Sequence, residues 1–62
     1  MTQSEVLQIG SRLFKHLGSP EGKAAIYPKQ DANGDWFLLV KSSEDLGEDG
    51  WFEEVPVLYR RW

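Results

Sequence analysis

Two short segments in the second half of the chain most constrain its fold. Residues 33–37 (Asn-Gly-Asp-Trp-Phe) and 48–52 (Glu-Asp-Gly-Trp-Phe) each place a Trp-Phe doublet after a Gly/Asp turn. Side chains alternate between the two faces of a β-strand, so either doublet puts one large ring on each face of its sheet. A sheet built from these segments is therefore apolar on both faces, which is more apolar surface than a short chain can hide.

Chain length and composition point to association. The chain has 62 residues, and residues 1–62 are expected to form one small domain. A domain of this size buries only about 60% of the surface that its unfolded chain exposes. The sequence has no cysteine and one histidine, which excludes disulfides and argues against a structural zinc site. Oligomerisation is the remaining common way to stabilise such a domain.

The charge balance limits the partners that we expect. Seven basic against ten acidic residues give a net charge of -3, which opposes direct binding to nucleic acids or to anionic membranes. No apolar run approaches the roughly 20 residues of a membrane span, and the N-terminus lacks the pattern of a secretion signal. These features predict a cytoplasmic protein that is not associated with a membrane.

An amphipathic helix is predicted over residues 2–17. Thr2 and Glu5 have the spacing of a capping box, and Gly18 followed by Ser19-Pro20 is a typical helix end. Apolar residues recur at helical intervals at Val6, Ile9, Leu13, Phe14 and Leu17.

Gly10 falls in the middle of the apolar face of this helix. A glycine there costs about 1 kcal/mol relative to alanine unless another element needs the space. Two interpretations stay open: a close approach of the helix to the sheet, or a tolerated glycine with no role.

Three strands are predicted, at about 23–30, 35–41 and 51–59, because short aromatic and β-branched segments alternate with Gly/Asp/Asn clusters. The predicted fold class is α+β, with one N-terminal helix packed on a three-stranded antiparallel β-meander (αβββ). Asn33-Gly34 favours a two-residue type I′ turn between the first two strands. Pro28 assigns the first strand to an edge, and the third strand then pairs on the other side of a central second strand. Pro56 weakens the third assignment, which an outer edge or a bulge accommodates.

A turn centred on Asn33-Gly34 sets the pairing register and the two faces. Tyr27 then lies opposite Val40, and the helix covers the other face, through Ile26, Phe37 and Leu39. The face without a covering element carries Tyr27, Trp36, Leu38 and Val40. We expect this face to bind protein, with Trp36 and Tyr27 as anchors.

The C-terminal segment 59–62 (Tyr-Arg-Arg-Trp) adds Arg60 and Trp62 to the predicted protein-interaction residues. Arginine and tryptophan dominate interface hot spots, but arginine also stacks on tryptophan or pairs with acids inside one chain. Both roles stay open for these two residues.

No group of residues predicts catalysis, a cofactor or a metal. His16, the sole imidazole, lies in the last helical turn, where it interacts with free carbonyls more often than it acts as a base. Residues 31–35 resemble the start of a calcium loop, but Trp36 and Ser42 occupy the positions that require glycine and a bidentate acid. We therefore expect no enzymatic activity, no cofactor and no metal ion.

The functional hypothesis is a small non-enzymatic protein-interaction module that self-associates, as a homodimer, through the uncovered aromatic sheet face. One alternative is an acidic inhibitor or nucleic-acid mimic, as phages and mobile elements encode, which binds a basic groove of a host protein. Its acidic surface would consist of Glu44, Asp45, Glu48, Asp49, Glu53 and Glu54. A further alternative is a very small enzyme or ligand-binding subunit whose site a partner completes.

Overall fold

The computed structural model describes residues 1–19 and 22–62, so the predicted stop at Pro20 lies outside the described residues. The described elements are one helix and four strands: α1 (Gln3–His16), β1 (Ala24–Gln30), β2 (Trp36–Ser42), β3 (Gly50–Phe52) and β4 (Val55–Arg61). The predicted α+β class is confirmed. The predicted three-stranded antiparallel meander is wrong, because the sheet has four strands and is mixed.

The boundaries of α1 follow from local hydrogen bonds. The Glu5 amide donates to Thr2 Oγ1 at 3.2 Å, and the Thr2 amide donates to Glu5 Oε1 at 3.1 Å. The predicted capping box is therefore confirmed. At the other end Gly18 has a φ of 89° and its amide donates to the Lys15 carbonyl, so the predicted stop at Gly18 is also confirmed.

The sheet has the strand order β1-β2-β4-β3. The predicted edge position of the first strand is confirmed, whereas β4, which contains Pro56, lies between β2 and β3 and not on the outside. β2 pairs with β1 in antiparallel and with β4 in parallel orientation, and β3 is antiparallel to β4. The predicted third strand, 51–59, is in fact a hairpin of β3 and β4 that turns at Glu53 and Glu54. These two residues have φ values of 49° and 68°. Two glutamates give no turn signal, since such turns favour Asn, Asp and Gly, and this explains why the hairpin was not predicted.

The β1–β2 connection is a five-residue loop, 31–35, and the predicted two-residue type I′ turn is wrong. Gly34 has a positive φ of 84°, whereas Asn33 does not. Asp31 closes the loop, because its amide donates to the Asp35 carbonyl and its Oδ1 accepts from the Asn33 and Asp35 amides. The loop is centred on Asn33 and not between Asn33 and Gly34, so the pairing register differs from the predicted one by one residue.

In the observed register Ile26 pairs with Val40 and Tyr27 pairs with Leu39. A one-residue shift changes which side chains of the two strands share a face. The hydrophobic core under α1 consists of Val6, Ile9, Leu13, Leu38, Val40, Val55 and Val57. The helix thus covers the side of β2 that carries Leu38 and Val40, opposite to the prediction.

Gly10 is buried where α1 crosses the sheet. A Cβ placed on Gly10 would lie 3.4 Å from Leu38 Cδ2 and 3.5 Å from Ile26 Cγ2. These are ordinary van der Waals distances, so the space does not require a glycine, and neither interpretation of Gly10 is confirmed.

Candidate interaction face

Among the described residues, the helix and the loop that pack on the sheet lie on the same side of it. α1 covers β1 and β2, and the 43–49 connection crosses the same side. A Cβ on Gly47 would lie 3.4 Å from the Tyr59 ring, and Leu46 packs against the core. Strand alternation and pairing place the remaining side chains on the opposite side, here called the bare face: Ala25, Tyr27, Lys29, Phe37, Leu39, Lys41, Trp51, Pro56, Leu58, Arg60 and Trp62.

The centre of the bare face is apolar. Leu39 lies between Tyr27 on β1 and Leu58 on β4, and none of these three belongs to the core cluster under α1. Tyr27 is 41% exposed, and the two tryptophans, Trp51 and Trp62, are 74% and 65% exposed. A shallow depression of about 220 Å³ is lined by Tyr27, Lys29, Leu39, Lys41 and Trp62. Large rings and an aliphatic floor with few polar groups are typical of protein-binding surfaces.

Charge is segregated along the length of the bare face. The four strands contain no acidic residue. The loop at the end where β2 begins carries Asp31 and Asp35, whose backbones are joined by a hydrogen bond from the Asp31 amide to the Asp35 carbonyl. Lys41 lies near the other end of β2, and Lys23 immediately precedes β1 at that same end. The face therefore runs from acidic through apolar to basic in a protein of net charge -3.

Arg60 starts on the bare face, but its guanidinium turns toward the edge of β4. Its Nη1 donates to both carboxylate oxygens of Asp49, at 2.9 and 3.1 Å. Asp49 Oδ1 also accepts from the Tyr59 amide at 2.9 Å. The Tyr59 amide and then the Arg60 guanidinium lower the pKa of Asp49, because both hydrogen bonds favour the carboxylate. Asp49 therefore caps the edge of β4 beyond the end of β3.

Half of the predicted interaction residues lie on the bare face. Tyr27, Arg60 and Trp62 are there. Leu38 and Val40 are 0% and 1% exposed in the core under α1, and Trp36 packs against that core. Their assignment to the uncovered face is wrong because the register is shifted by one residue. Whether any of these residues contacts a partner stays a prediction.

Phe37 and Leu39 were predicted to lie under the helix and are instead on the bare face. Lys29, Lys41, Trp51 and Leu58 also belong to this face and were not predicted. A signal for them was present in the sequence. Lysines favour the exposed side of a sheet, and in the observed register Lys29 and Lys41 share a side with Phe37 and Leu39.

The predicted acidic residues belong to two segments of the chain. Glu44, Asp45, Glu48 and Asp49 lie in the 43–49 connection, whereas Glu53 and Glu54 form the β3–β4 turn. Arg12 of α1 makes a two-point contact with Glu53, at 2.7 and 2.8 Å. This contact lowers the pKa of Glu53 through hydrogen bonding and charge. Two of the six acids, Asp49 and Glu53, are thus paired inside the chain.

Residues with possible chemical roles are held in structural contacts. The His16 ring stacks near Phe52, with centroids 5.5 Å apart. Asp31 uses an oxygen to accept loop amides, as in an ordinary polar turn. Among the described residues, no group of three or more His, Cys, Asp or Glu side chains is placed to hold a metal ion.

A second depression, of about 250 Å³, lies between α1 and β1 on the covered side of the sheet. It is lined by Leu7, Gly10, Ser11, Phe14, Ile26, Pro28 and Leu38. Gly10 creates this space, because a larger residue there would fill it.

Comparison with protein-family models, with curated proteins and with solved structures finds no match to this chain. Within residues 1–19 and 22–62, no helix has the length and apolar character needed to cross a membrane.

Proposed function

We propose that this protein is a small non-enzymatic interaction module that binds protein through its bare face, and that its first partner is a second copy of the same chain. The observation that carries the proposal is the placement of α1 and the 43–49 connection on one side of a sheet whose other side has an apolar centre. No chemistry is needed for such a role. Binding comes from removing the apolar centre of the face from water.

The parallel pairing of β2 and β4 supports this proposal. Parallel strands are usually covered on both faces and are apolar along their whole length. Residues 36–40 (Trp-Phe-Leu-Leu-Val) and 55–59 (Val-Pro-Val-Leu-Tyr) have this character. In one chain only the α1 side is covered, so a partner would complete the layer that these strands require.

The edges of the sheet favour binding through the face over strand addition. β1 carries Pro28 and Lys29, and natural edge strands use both residue types to prevent pairing with another chain. The opposite edge, β3, has only three residues. Neither edge offers a long row of free backbone groups, which leaves the bare face as the larger binding surface.

The size of the bare face sets the expected affinity. Strand spacing and rise give a footprint of roughly 20 by 23 Å. This is a little over half of the ~800 Å² that each partner buries in a standard interface. We expect a dissociation constant in the micromolar range, with residues at the rim, such as Trp51 and Trp62, adding to the contact.

The test is sedimentation equilibrium of the wild type and of Leu39→Glu, with Glu44→Gln as a control in the exposed 43–49 connection. A charge in the centre of the bare face should convert a concentration-dependent dimer to a monomer that keeps its far-UV circular dichroism spectrum. The control should dimerise like the wild type. A wild type that stays monomeric at high micromolar concentration would remove self-association from the proposal.

The acidic-mimic hypothesis predicts a different salt dependence. Binding through exposed carboxylates weakens strongly as salt is added, whereas burial of an apolar face does not. A pull-down on a basic partner surface at low and high salt therefore separates the two. The internal pairing of Asp49 and Glu53 leaves the mimic fewer free charges, so the apolar face is preferred.

A further inference from the structure

We infer that two copies pack face to face with their strands running in opposite directions, so that the acidic end of each bare face covers the basic end of the other. This inference rests on the proposed function and adds the orientation of the partner and the charged residues that select it. It follows from the order of charges along β1 and β2.

Acidic, apolar and basic residues follow one another along each of these strands on the bare face. On β2 the order is Asp35, then Phe37 and Leu39, then Lys41. On β1 it is Lys23, then Ala25 and Tyr27, then Lys29, with Asp31 in the loop. Asp35 and Lys41 are six residues apart, which corresponds to about 20 Å along an extended strand. The apolar centre of β2 is therefore flanked by opposite charges, and β1 follows Lys23 at one end and leads through Lys29 to Asp31 at the other.

Two symmetric face-to-face arrangements are available, because sheets that pack in an aligned manner keep their strand directions within about 30°. In a homodimer the same patch is used by both copies. A two-fold axis along the strands places Lys41 over the second copy's Lys41, and Asp35 over the second copy's Asp35. An axis across the strands places Asp35 near the second copy's Lys41, and the reverse.

The second arrangement is favoured because like charges facing each other across an interface are costly. It also keeps each strand over the same strand of the other copy. Tyr27 and Leu39, which are paired neighbours, then lie close to the two-fold axis, and their side chains meet the equivalent side chains of the second copy. The acidic loop pair, Asp31 and Asp35, lies over the end that carries Lys23 and Lys41.

Lys29 is the exception in this pattern, since it is the basic residue nearest the acidic loop. It lies opposite Phe37 on the bare face. Its charge reduces the acidic character of that end but does not reverse it, because Asp31 and Asp35 are both there. Arg60 contributes less to the basic end than its position suggests, because its guanidinium is paired with Asp49.

The test uses charge reversal at the two ends. Asp35→Lys and Lys41→Glu should each raise the dimer dissociation constant about tenfold, because each dimer contains two copies of the contact. The double variant Asp35→Lys/Lys41→Glu should return close to the wild-type value. Glu44→Lys and Lys15→Glu make the same charge changes at exposed positions away from the bare face and should leave the constant within twofold.

A mixture of the two single variants gives a second readout. In the mixed dimer, residue 35 of each copy faces a residue 41 of opposite charge in the other copy. Native mass spectrometry of an isotopically labelled mixture should therefore show the mixed dimer in excess over both homodimers. Dimers that are insensitive to both reversals would overturn the orientation and leave self-association intact. A monomeric wild type would overturn both and would indicate that the face binds a different protein or another macromolecule.

Discussion

Adjacent leucines in β2 provide a direct test of the face assignment. Leu38 is 0% exposed in the core beneath α1, while Leu39 is half-buried on the bare face. Replacing a buried leucine with alanine costs about 2–5 kcal/mol, because transfer free energy is lost and a cavity remains. The complete burial of Leu38 between α1 and β4 leads us to expect about 3 kcal/mol for Leu38→Ala. For Leu39→Ala in the monomer we expect less than about 1 kcal/mol, since part of the side chain already contacts water.

These magnitudes are large relative to the stability of so small a domain. A single core in a chain of this size supplies at most about 3–5 kcal/mol. A loss of 1 kcal/mol lowers the melting temperature of a domain of 60–100 residues by about 4–8 °C. Leu38→Ala should therefore lower it by more than about 12 °C, whereas Leu39→Ala should lower it by less than about 8 °C.

The assay is thermal unfolding followed by far-UV circular dichroism at a concentration well below the dimer dissociation constant, at which sedimentation shows monomer. Sedimentation of the same samples should show the opposite ranking for association, with Leu39→Ala weakening the dimer. Equal destabilisation by both replacements, or a larger effect of Leu39→Ala on folding, would refute the assignment of the two faces.

Three further predictions concern the fold. Gly10→Ala should stabilise the protein by up to about 1 kcal/mol in urea unfolding, because its methyl group would just contact Leu38 and helix propensity improves; a loss of stability would show that the contact is too tight. Glu54→Gly should raise the free energy of unfolding by about 0.5–1 kcal/mol, since glycine adopts a φ of 68° without strain. Glu53→Gly should raise it less, because this variant also loses the contact with Arg12. The pKa values of Asp49 and Glu53 are lower in the folded protein than their ordinary values of 3.8 and 4.5, so both carboxylates stabilise the fold when they are ionised. This stability is fully present at a pH above the ordinary pKa values and is lost as the pH falls through the lowered pKa values. Unfolding measured from pH 6 to pH 3 should therefore depend less on pH in Asp49→Asn; an unchanged dependence would contradict the role of Asp49.

Local signals in the sequence predicted the helix well. The capping box and the stop at Gly18 each depend on residues within one or two helical turns, and each is confirmed. Such features are determined by neighbouring residues and need no knowledge of the rest of the fold.

The sequence signals for the sheet topology were weaker than those for the helix. The Asn33-Gly34 pair predicted a two-residue turn, but the Asp31 carboxylate stabilises a five-residue loop by accepting two amides. The pairing register changes by one residue as a result, which exchanged the predicted covered and uncovered sides of β2. The β3–β4 hairpin was also missed, because Glu53 and Glu54 are uncommon at positive φ and only their tertiary context, including Arg12, holds the turn.

The prediction that one apolar face of the sheet stays uncovered did not depend on the pairing register. A Trp-Phe doublet places a ring on each side of a strand in any register, and one helix covers one side of a sheet. The residues on the uncovered side could not be assigned until the register was known. Tyr27 was predicted correctly for this side, while Trp36, Leu38 and Val40 were exchanged with Phe37 and Leu39.

The most direct test of the central proposal is an isotope-filtered NMR experiment on an equal mixture of ¹³C-labelled and unlabelled protein. Cross-peaks between labelled and unlabelled copies report contacts across the interface alone. Association through the bare face predicts such cross-peaks among Tyr27, Phe37, Leu39 and Leu58. Cross-peaks that arise instead from Leu7 or Phe14, which belong to α1, or no intermolecular cross-peaks at high micromolar concentration, would contradict it.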